Sequence, residues 1–120
     1  MTGRFEVNVA VVLDAKTALM WEAEYQPACT WKAMHGYARR CRTGGFDDWR
    51  VPAIDELITL IDFERFGPAS GFPGMPADWF WSSSSYAYGL NLAWFVSFNR
   101  GFVNLNDKSN AGGVRCVRRA

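Results

Sequence analysis

The sequence predicts a small α+β domain, and three observations indicate this class. Side chains from Ala93 to Asn106 alternate between two kinds with a period of two, which is typical of strands that bury one face. Apolar residues between Trp31 and Cys41 recur at helical spacing. A chain of 120 residues can bury one sizeable core without a metal ion or a disulfide. We therefore predict a single domain over residues 1–120.

The first elements are a hairpin and a helix. Residues 5–13 are apolar and rich in β-branched side chains, residues 14–17 interrupt them, and residues 18–21 resume the strand pattern. Thr30 is suited to cap a helix that starts at Trp31, and the glycines at 44 and 45 are suited to end it. The first half of the chain therefore predicts two strands joined by a four-residue connection, then one helix.

A second helix and a long loop follow. Pro52 favours extended backbone just before it, and Asp55 and Glu56 lie favourably in the first turn of the helix. Its apolar face consists of Ile54, Leu57, Ile58 and Ile61. Residues 66–78 contain three prolines and three glycines and predict an irregular loop.

Four strands complete the predicted domain, over residues 80–83, 93–99, 102–106 and 114–118, with a tight turn at residues 99–101. The alternation assigns one side of the middle two strands to the core: Trp94, Val96, Phe98, Val103 and Leu105. It assigns the other side to solvent: Phe95, Ser97, Asn99, Phe102, Asn104 and Asn106. Aromatic rings mixed with serine and asparagine are typical of recognition surfaces.

Charge and hydropathy argue against two classes of partner. Thirteen basic and twelve acidic residues give a net charge of +1, which is too small to attract nucleic acid or an anionic membrane. No apolar run approaches the roughly 20 residues of a membrane span, and residues 1–4 do not open a signal peptide. We expect no nucleic-acid partner and no membrane insertion. The six tryptophans are predicted to be mainly structural anchors, with Trp79 the best exception. Arg50 is predicted to bind loop carbonyls or a carboxylate such as Asp48.

Catalytic chemistry finds little support in the sequence. His35 is the only histidine, and a spacing of six residues places it and Cys41 on different faces of a helix. The serines at 82–85 lack the flanking turn of a serine nucleophile and are interpreted as a polar strand end. The three cysteines, Cys29, Cys41 and Cys116, allow either one disulfide and one free thiol or three reduced thiols.

Six ordered motifs, from about Val11 to Arg118, resemble one bacterial family. They are Leu19-Met20-Trp21, the Trp31 helix, residues 45–52 with Glu56-Leu57, Phe80-Trp81-Ser82-Ser83, Ala93-Trp94-Phe95-Val96, and residues 106–109 leading to 114–118. The family is DUF1566, also described as the C-terminal domain of the collagen-like adhesin Lcl. The resemblance implies a C-type-lectin-like fold: two helices, short antiparallel sheets and a long loop region. Members occur in secreted, surface-attached and phage proteins, often as adhesion or ligand-binding modules.

The resemblance has further implications. A subset of such proteins is diversified by retroelements that randomise chiefly asparagine codons in the C-terminal strands, where the solvent-facing set lies. Ala18 stands where the family usually has glycine, and Ala53 where a helix-capping Thr or Ser is common. Cys41 is three residues beyond the usual helix cysteine, and a Cys41 to Cys116 bridge stays open. The loop that calcium-dependent sugar-binding lectins pair with a Trp-Asn-Asp strand is lacking, which disfavours that activity.

We therefore predict a non-catalytic module with no cofactor and no catalytic or metal-binding residues, which binds a protein or glycan on a cell surface. The predicted ligand-binding residues are Ser84, Tyr86, Tyr88, Asn91, Phe95, Ser97, Asn99, Arg100, Phe102, Asn104 and Asn106. The expected location is extracellular, on a cell surface or a phage virion, with the cytoplasm left open. The alternatives are an assembly domain of a surface or phage fibre, with oligomerisation through the same aromatic residues, and a formylglycine-generating-type enzyme.

Overall fold

The structure, a computed structural model, describes residues 3–120, in which nine strands and two helices occur. In chain order they are β1 (Phe5–Asn8), β2 (Val11–Asp14), β3 (Leu19–Glu22), β4 (Gln26–Cys29), α1 (Trp31–Arg40), α2 (Ile54–Ile58), β5 (Trp79–Ser85), β6 (Leu92–Ser97), β7 (Phe102–Asp107), β8 (Gly112–Val114) and β9 (Val117–Arg119). This confirms the predicted α+β class.

The strands form two sheets, with the orders β1-β2-β3-β9 and β4-β8-β5-β6-β7. All neighbours are antiparallel except β5 and β8. In the first sheet the N-terminal hairpin pairs with the last strand, with Leu19 opposite Arg119. The first and last strands of the chain therefore belong to the same sheet, at its two opposite edges.

The N-terminal strand pattern is broken earlier than the sequence predicts. Residues 5–13, predicted as one strand, form β1 and β2 with a turn at Val9 and Ala10. Val9 has a φ of 58°, which β-branched residues rarely adopt, so residue type gave no signal for this turn. The predicted four-residue connection between β2 and β3 is present, but over residues 15–18 and not 14–17. It ends at Ala18, whose φ of 59° suits glycine.

Both helices are present, and side chains satisfy their first amides. Thr30 Oγ1 accepts from the Ala33 amide at 3.3 Å, which confirms the predicted cap of α1. At α2, where Ala53 has no side-chain oxygen, Glu56 accepts from the Ala53 amide at 2.9 Å and Ser84 Oγ accepts from the Ile54 amide at 3.0 Å. The helix ends at Ile58, so Ile61, predicted on its apolar face, lies beyond it.

The strands differ from the prediction in two further ways. Residues 114–118, predicted as one strand, contribute to β8 in the second sheet and β9 in the first, with Arg115 and Cys116 between them. Strand β4 was not predicted; it contains Pro27, and its pairing with β8 has a register shift. The loop over residues 66–78 has no helix or strand, as predicted.

Alternate residues of β5 and β6 enter two hydrophobic clusters. Trp81 and Ala93 belong to the cluster that contains Met34 and Ala38 of α1. Phe80 and Val96 belong to the cluster that contains Leu57 of α2. The central strands are therefore packed on both sides, which fixes the positions of the side chains that emerge at their ends.

Candidate binding face

Strands β5, β6 and β7 place one set of side chains on a common face. Phe95 lies opposite Asn104, and Ser97 lies opposite Phe102, in the unshifted pairing of β6 with β7. On the other side of β6, Trp79 lies opposite Ser97. Trp94, Val96, Val103 and Leu105 share the reverse face, since Trp94 pairs with Leu105 and Val96 with Val103. The predicted grouping of side chains into two faces is therefore confirmed, but Val103 and Leu105, predicted in the core, are only half-buried on the outer strand β7.

Three aromatic rings form a row across this face. The ring centroids of Trp79 and Phe95 are 4.9 Å apart, and those of Phe95 and Phe102 are 6.3 Å apart, both in edge-to-face geometry. Trp79 and Phe95 are half-buried, and Phe102 is 45% exposed. Asn104 is exposed beside them. We call Trp79, Phe95, Phe102 and Asn104 the binding face.

Trp79 is fixed by a close approach to the backbone of β8. A Cβ atom added at Gly112 would overlap the six-membered ring of Trp79. The glycine therefore lets the indole lie close against β8, and the neighbouring Trp81, fully buried, packs against it with ring centroids 4.9 Å apart. This support holds one end of the aromatic row rigid.

Part of the predicted exposed set is covered. Ser97 was predicted to face solvent, but it is buried, with 8% of its surface exposed. It lies between Trp79 on one neighbouring strand and Phe102 on the other, whose larger side chains cover it. Phe95 is likewise only half-exposed, because it packs against the cluster beneath α1.

A second aromatic group lies on the other side of the sheet. Tyr86 is 5.7 Å from Tyr88 and 5.8 Å from Trp94. Trp94, predicted to lie in the core, is half-buried and leaves the strand on the side opposite Phe95. Tyr88 and Leu90 lie in the loop between β5 and β6 and are 90% and 80% exposed. The predicted ligand-binding residues therefore divide into two groups.

The remaining predicted residues take individual positions. Ser84 is half-buried and caps α2, so a structural bond occupies its hydroxyl. Asn106 is half-buried, and its Oδ1 accepts from the Asp107 amide at 2.9 Å and from Asn110 Nδ2 at 2.6 Å. The exposed members of the predicted set are Tyr88, Asn91, Asn99, Arg100, Phe102 and Asn104.

The turn between β6 and β7 is joined to an exposed aromatic loop that the sequence did not single out. The Gly67 amide donates to the Asn99 carbonyl at 2.7 Å. Phe63 and Phe66, in the same loop, are 76% and 85% exposed. Nearby, a cleft of about 620 Å³ lies between β1 and residues 60–65, with Arg4, Lys16 and Phe63 in its lining. Phenylalanines in or beside the Pro/Gly-rich segment are the sequence feature that could have indicated this exposed aromatic loop.

Arg50 binds a carboxylate, one of its two predicted kinds of partner, but the residue is not the example that the prediction named. Arg50, expected to bind loop carbonyls or a carboxylate such as Asp48, forms a two-point ion pair with Glu56 at 2.6 and 2.7 Å. Asp48 instead pairs with Arg118 of β9. The side-chain hydrogen bond from Arg118 is the main cause that lowers the pKa of Asp48.

The three thiols are packed away from solvent, and His35 is half-buried. Cys29, Cys41 and Cys116 are free and buried, so the Cys41 to Cys116 bridge is not formed. Burial raises the pKa of the Cys41 and Cys116 thiols, the opposite of what a reactive thiolate requires. His35 packs edge-on against Trp31 at 4.6 Å, and burial is the main cause that lowers its pKa.

Neither a metal cluster nor a membrane-spanning helix emerges from residues 3–120. Within that range no three His, Cys, Asp or Glu side chains converge so that they could hold a metal ion. None of its helices is long and apolar enough to cross a bilayer.

Comparison with known proteins decides the family. The sequence matches the family described as the Lcl C-terminal domain over residues 10–118. The chain belongs to the Lcl C-terminal domain family. Among curated proteins, none matches this chain. In this Lcl C-terminal domain the matched segment contains every strand and helix from β2 through β8 and most of β9, so the second sheet and the binding face fall within it and β1 lies outside it.

Proposed function

We propose that this Lcl C-terminal domain is a non-catalytic module that binds a protein or a glycan through the binding face. The observation that carries the proposal is the row of Trp79, Phe95 and Phe102 beside the exposed amide of Asn104. Rings held by a packed sheet lose little conformational entropy on binding, and an amide can donate or accept hydrogen bonds. The face therefore combines rigid apolar area with adaptable polar contacts.

The surroundings of the face favour recognition over catalysis. Asn99 and Arg100 are exposed at the turn next to Phe102, and they extend the polar rim. The thiols that a formylglycine-generating-type reaction would need are buried with raised pKa values. Rigid aromatic anchors surrounded by polar groups are the usual organisation of a protein-binding surface.

The finer architecture we propose is C-type-lectin-like. Three features support it: the N-terminal hairpin pairs with the last strand, two helices flank the sheets, and a long segment without helix or strand separates α2 from β5. We also propose that the module belongs to a secreted, surface-attached or phage protein with a role in adhesion, as the resemblance to the family implies.

We also propose that a retroelement diversifies the exposed positions. Tyr88, Asn91, Asn99, Arg100 and Asn104 are exposed, so replacing them leaves the two hydrophobic clusters untouched. Randomised asparagine codons can yield each of these residue types. The genomic neighbourhood tests this: a reverse-transcriptase gene and a template repeat of residues 84–106 are expected, and a neighbourhood with neither would contradict diversification.

The binding proposal is tested by Phe102→Ser in a screen of cell-surface proteins and glycans. Once a ligand of the native domain is found, the substitution should weaken its binding at least about tenfold, because truncating an aromatic anchor typically costs more than 1 kcal/mol. The melting temperature should change little, since the ring is 45% exposed. Phe95 is unsuitable for this purpose because it also packs against the core.

The matched control is Leu90→Ser, which removes an apolar side chain that is 80% exposed and lies outside the binding face. It should leave binding unchanged. Equal binding by the native domain and the Phe102 variant, at equal stability, would show that the ligand binds elsewhere.

A further inference from the structure

Strand β7 is an open edge of the second sheet. It is last in the strand order, and within residues 3–120 it pairs with β6 alone. Its register with β6 runs unbroken from Phe102 to Asp107, so the strand carries no bulge. The free side of an edge strand presents backbone donors and acceptors to which another strand can add.

The hydrogen bonds show which backbone groups face outward. The Lys108 amide donates to the Asn91 carbonyl of the β6 side at 2.8 Å, so even-numbered residues here direct their backbone groups inward. The amides of Leu105 and Asp107 point away from β6. They donate to the side-chain oxygens of Asn104 at 2.7 Å and Asn106 at 2.9 Å. Each asparagine thus occupies a donor that a neighbouring strand could use.

The other three edge strands are protected in ways that β7 is not. Strand β4 contains Pro27 and a register shift. Strand β9 has three residues, two of them arginines, and Arg50 forms a bridge with its Val117. Strand β1 has four residues, including the exposed Glu6. Strand β7 has six residues without proline or lysine. The two asparagine side chains cover its outward amides at 105 and 107, and the Asn110 amide donates to its Asp107 carbonyl at 3.0 Å, which leaves that oxygen one further lone pair.

We propose that β7 pairs antiparallel with β7 of a second copy of this chain, about a two-fold axis at Leu105. The two five-stranded sheets then become one continuous sheet. Leu105 faces Leu105 of the second copy, and the outward backbone groups of residues 103, 105 and 107 form the new ladder. The amides of Leu105 and Asp107 exchange the asparagine oxygens for carbonyl groups of the second copy.

The side chains of β7 are complementary to themselves in this register. Asn104 faces Asn106 of the second copy, so amides released from their own strand can bond to each other across the axis. Val103 faces Asp107 of the second copy, and no like charges lie directly opposite. With a net charge of +1, two copies repel each other weakly.

The dimer is expected to be weak and reversible. One ribbon of six residues is smaller than the roughly 1,600 Å² interface of a stable complex. Because the axis runs perpendicular to the sheet, both binding faces lie on the same side and can engage a surface together. The pairing itself uses backbone groups and stands independently of the proposed function.

Sedimentation equilibrium over increasing concentration measures the association of the full chain. Asn104→Lys/Asn106→Lys places lysines opposite lysines at two positions and should weaken the dimer at least about tenfold. Asn104→Lys/Asn106→Glu places lysine opposite glutamate at the same two positions and should restore it to within about threefold of the native value. Ala77→Lys/Ala87→Lys, at two exposed loop positions, adds the charge of the first variant elsewhere and should associate as the native chain does.

Far-UV circular dichroism of every variant establishes that the fold is retained. A native chain that stays monomeric at millimolar concentration would overturn the proposal. So would a dimer that the two lysines at 104 and 106 do not weaken, because it would use another surface. Loss of the dimer in both β7 variants would overturn the two-fold register.

Discussion

Individual backbone positions in this domain are strained where the residue type is unsuited to the turn. Ala18 ends the connection between β2 and β3 with a φ of 59°, and the resemblance to the family marks glycine as usual there. An L-residue in this left-handed region costs about 1–2 kcal/mol. Ala18 is exposed and has no packing role to compensate.

Ala18→Gly should therefore stabilise the domain. Relief of the strain, less the extra chain entropy of glycine, leaves a gain of about 0.5–1 kcal/mol in the free energy of unfolding. Urea denaturation measures it. Ala15→Gly, at an exposed position of the same connection without a positive φ, should instead be neutral or destabilising. A loss of stability in the Ala18 variant would contradict the assigned backbone geometry.

Residue type predicts local bonds better than distant ones. The cap by Thr30 could be predicted because donor and acceptor are three residues apart. The partner of Arg50 could not be predicted in this way. The carboxylate nearer to it in sequence, Asp48, is bound by Arg118, which lies 70 residues from Asp48, and Arg50 pairs with Glu56 instead. Pairings of this kind follow from the sheet order, which the sequence does not specify.

At the scale of the elements, the alternation in β6 and β7 predicts which residues share a face but not how each face is covered. Val96 and Phe98 are fully buried, as predicted. Ser97, on the same face as Phe95 and Phe102, is buried too, because flanking strands bring Trp79 and Phe102 over it. For a strand packed on both sides, the burial of each residue depends on the side chains of the neighbouring strands, which the alternation does not give.

Val96→Ser should destabilise the domain by about 3 kcal/mol, because it removes two methyl groups from a filled interior and buries a hydroxyl. Thermal unfolding followed by circular dichroism measures the change. The same substitution at Val7, which is 55% exposed in β1, should be close to neutral. Similar melting temperatures for the two variants would contradict the assignment of the core face.

At the scale of the whole molecule, the buried carboxylate of Glu22 joins segments that are distant in sequence. It accepts hydrogen bonds from Thr43 Oγ1 at 2.9 Å, from the Cys116 amide at 3.0 Å, and from the Cys41 thiol and the Tyr37 hydroxyl at 3.1 Å. Burial, followed by the charge of Glu22, raises the pKa of Tyr37. One side chain of β3 thereby ties α1 and the chain after it to the crossing between β8 and β9.

Glu22→Gln should lower the free energy of unfolding by about 2 kcal/mol, because an amide NH₂ replaces one of two oxygens that face donors. Unfolding should stay cooperative, since the substitution weakens both sheets together. Glu24→Gln, at an exposed position two residues away, should cost little. Equal stability of the two variants in urea denaturation would show that the carboxylate has no such role.

The candidate site could be predicted only in part at this scale. Phe95, Phe102 and Asn104 share a face as the alternation indicates, but Trp79 joins them through the pairing of β5 with β6. The prediction grouped Tyr86 and Tyr88 with them as aromatic residues of the C-terminal region to which the family resemblance points. The loop that carries them instead packs against Trp94 on the other side of the sheet.

The position of Trp79 gives the domain an intrinsic optical probe. Its indole is half-buried, lies against Gly112 and touches Phe95, whereas Trp21, Trp49 and Trp81 are shielded from water. A ligand that binds over the aromatic row at Phe102 would exclude water from this indole. It would leave the environment of the three shielded tryptophans unchanged. Occupancy should therefore be readable as a blue shift in the protein's own fluorescence, without any attached dye.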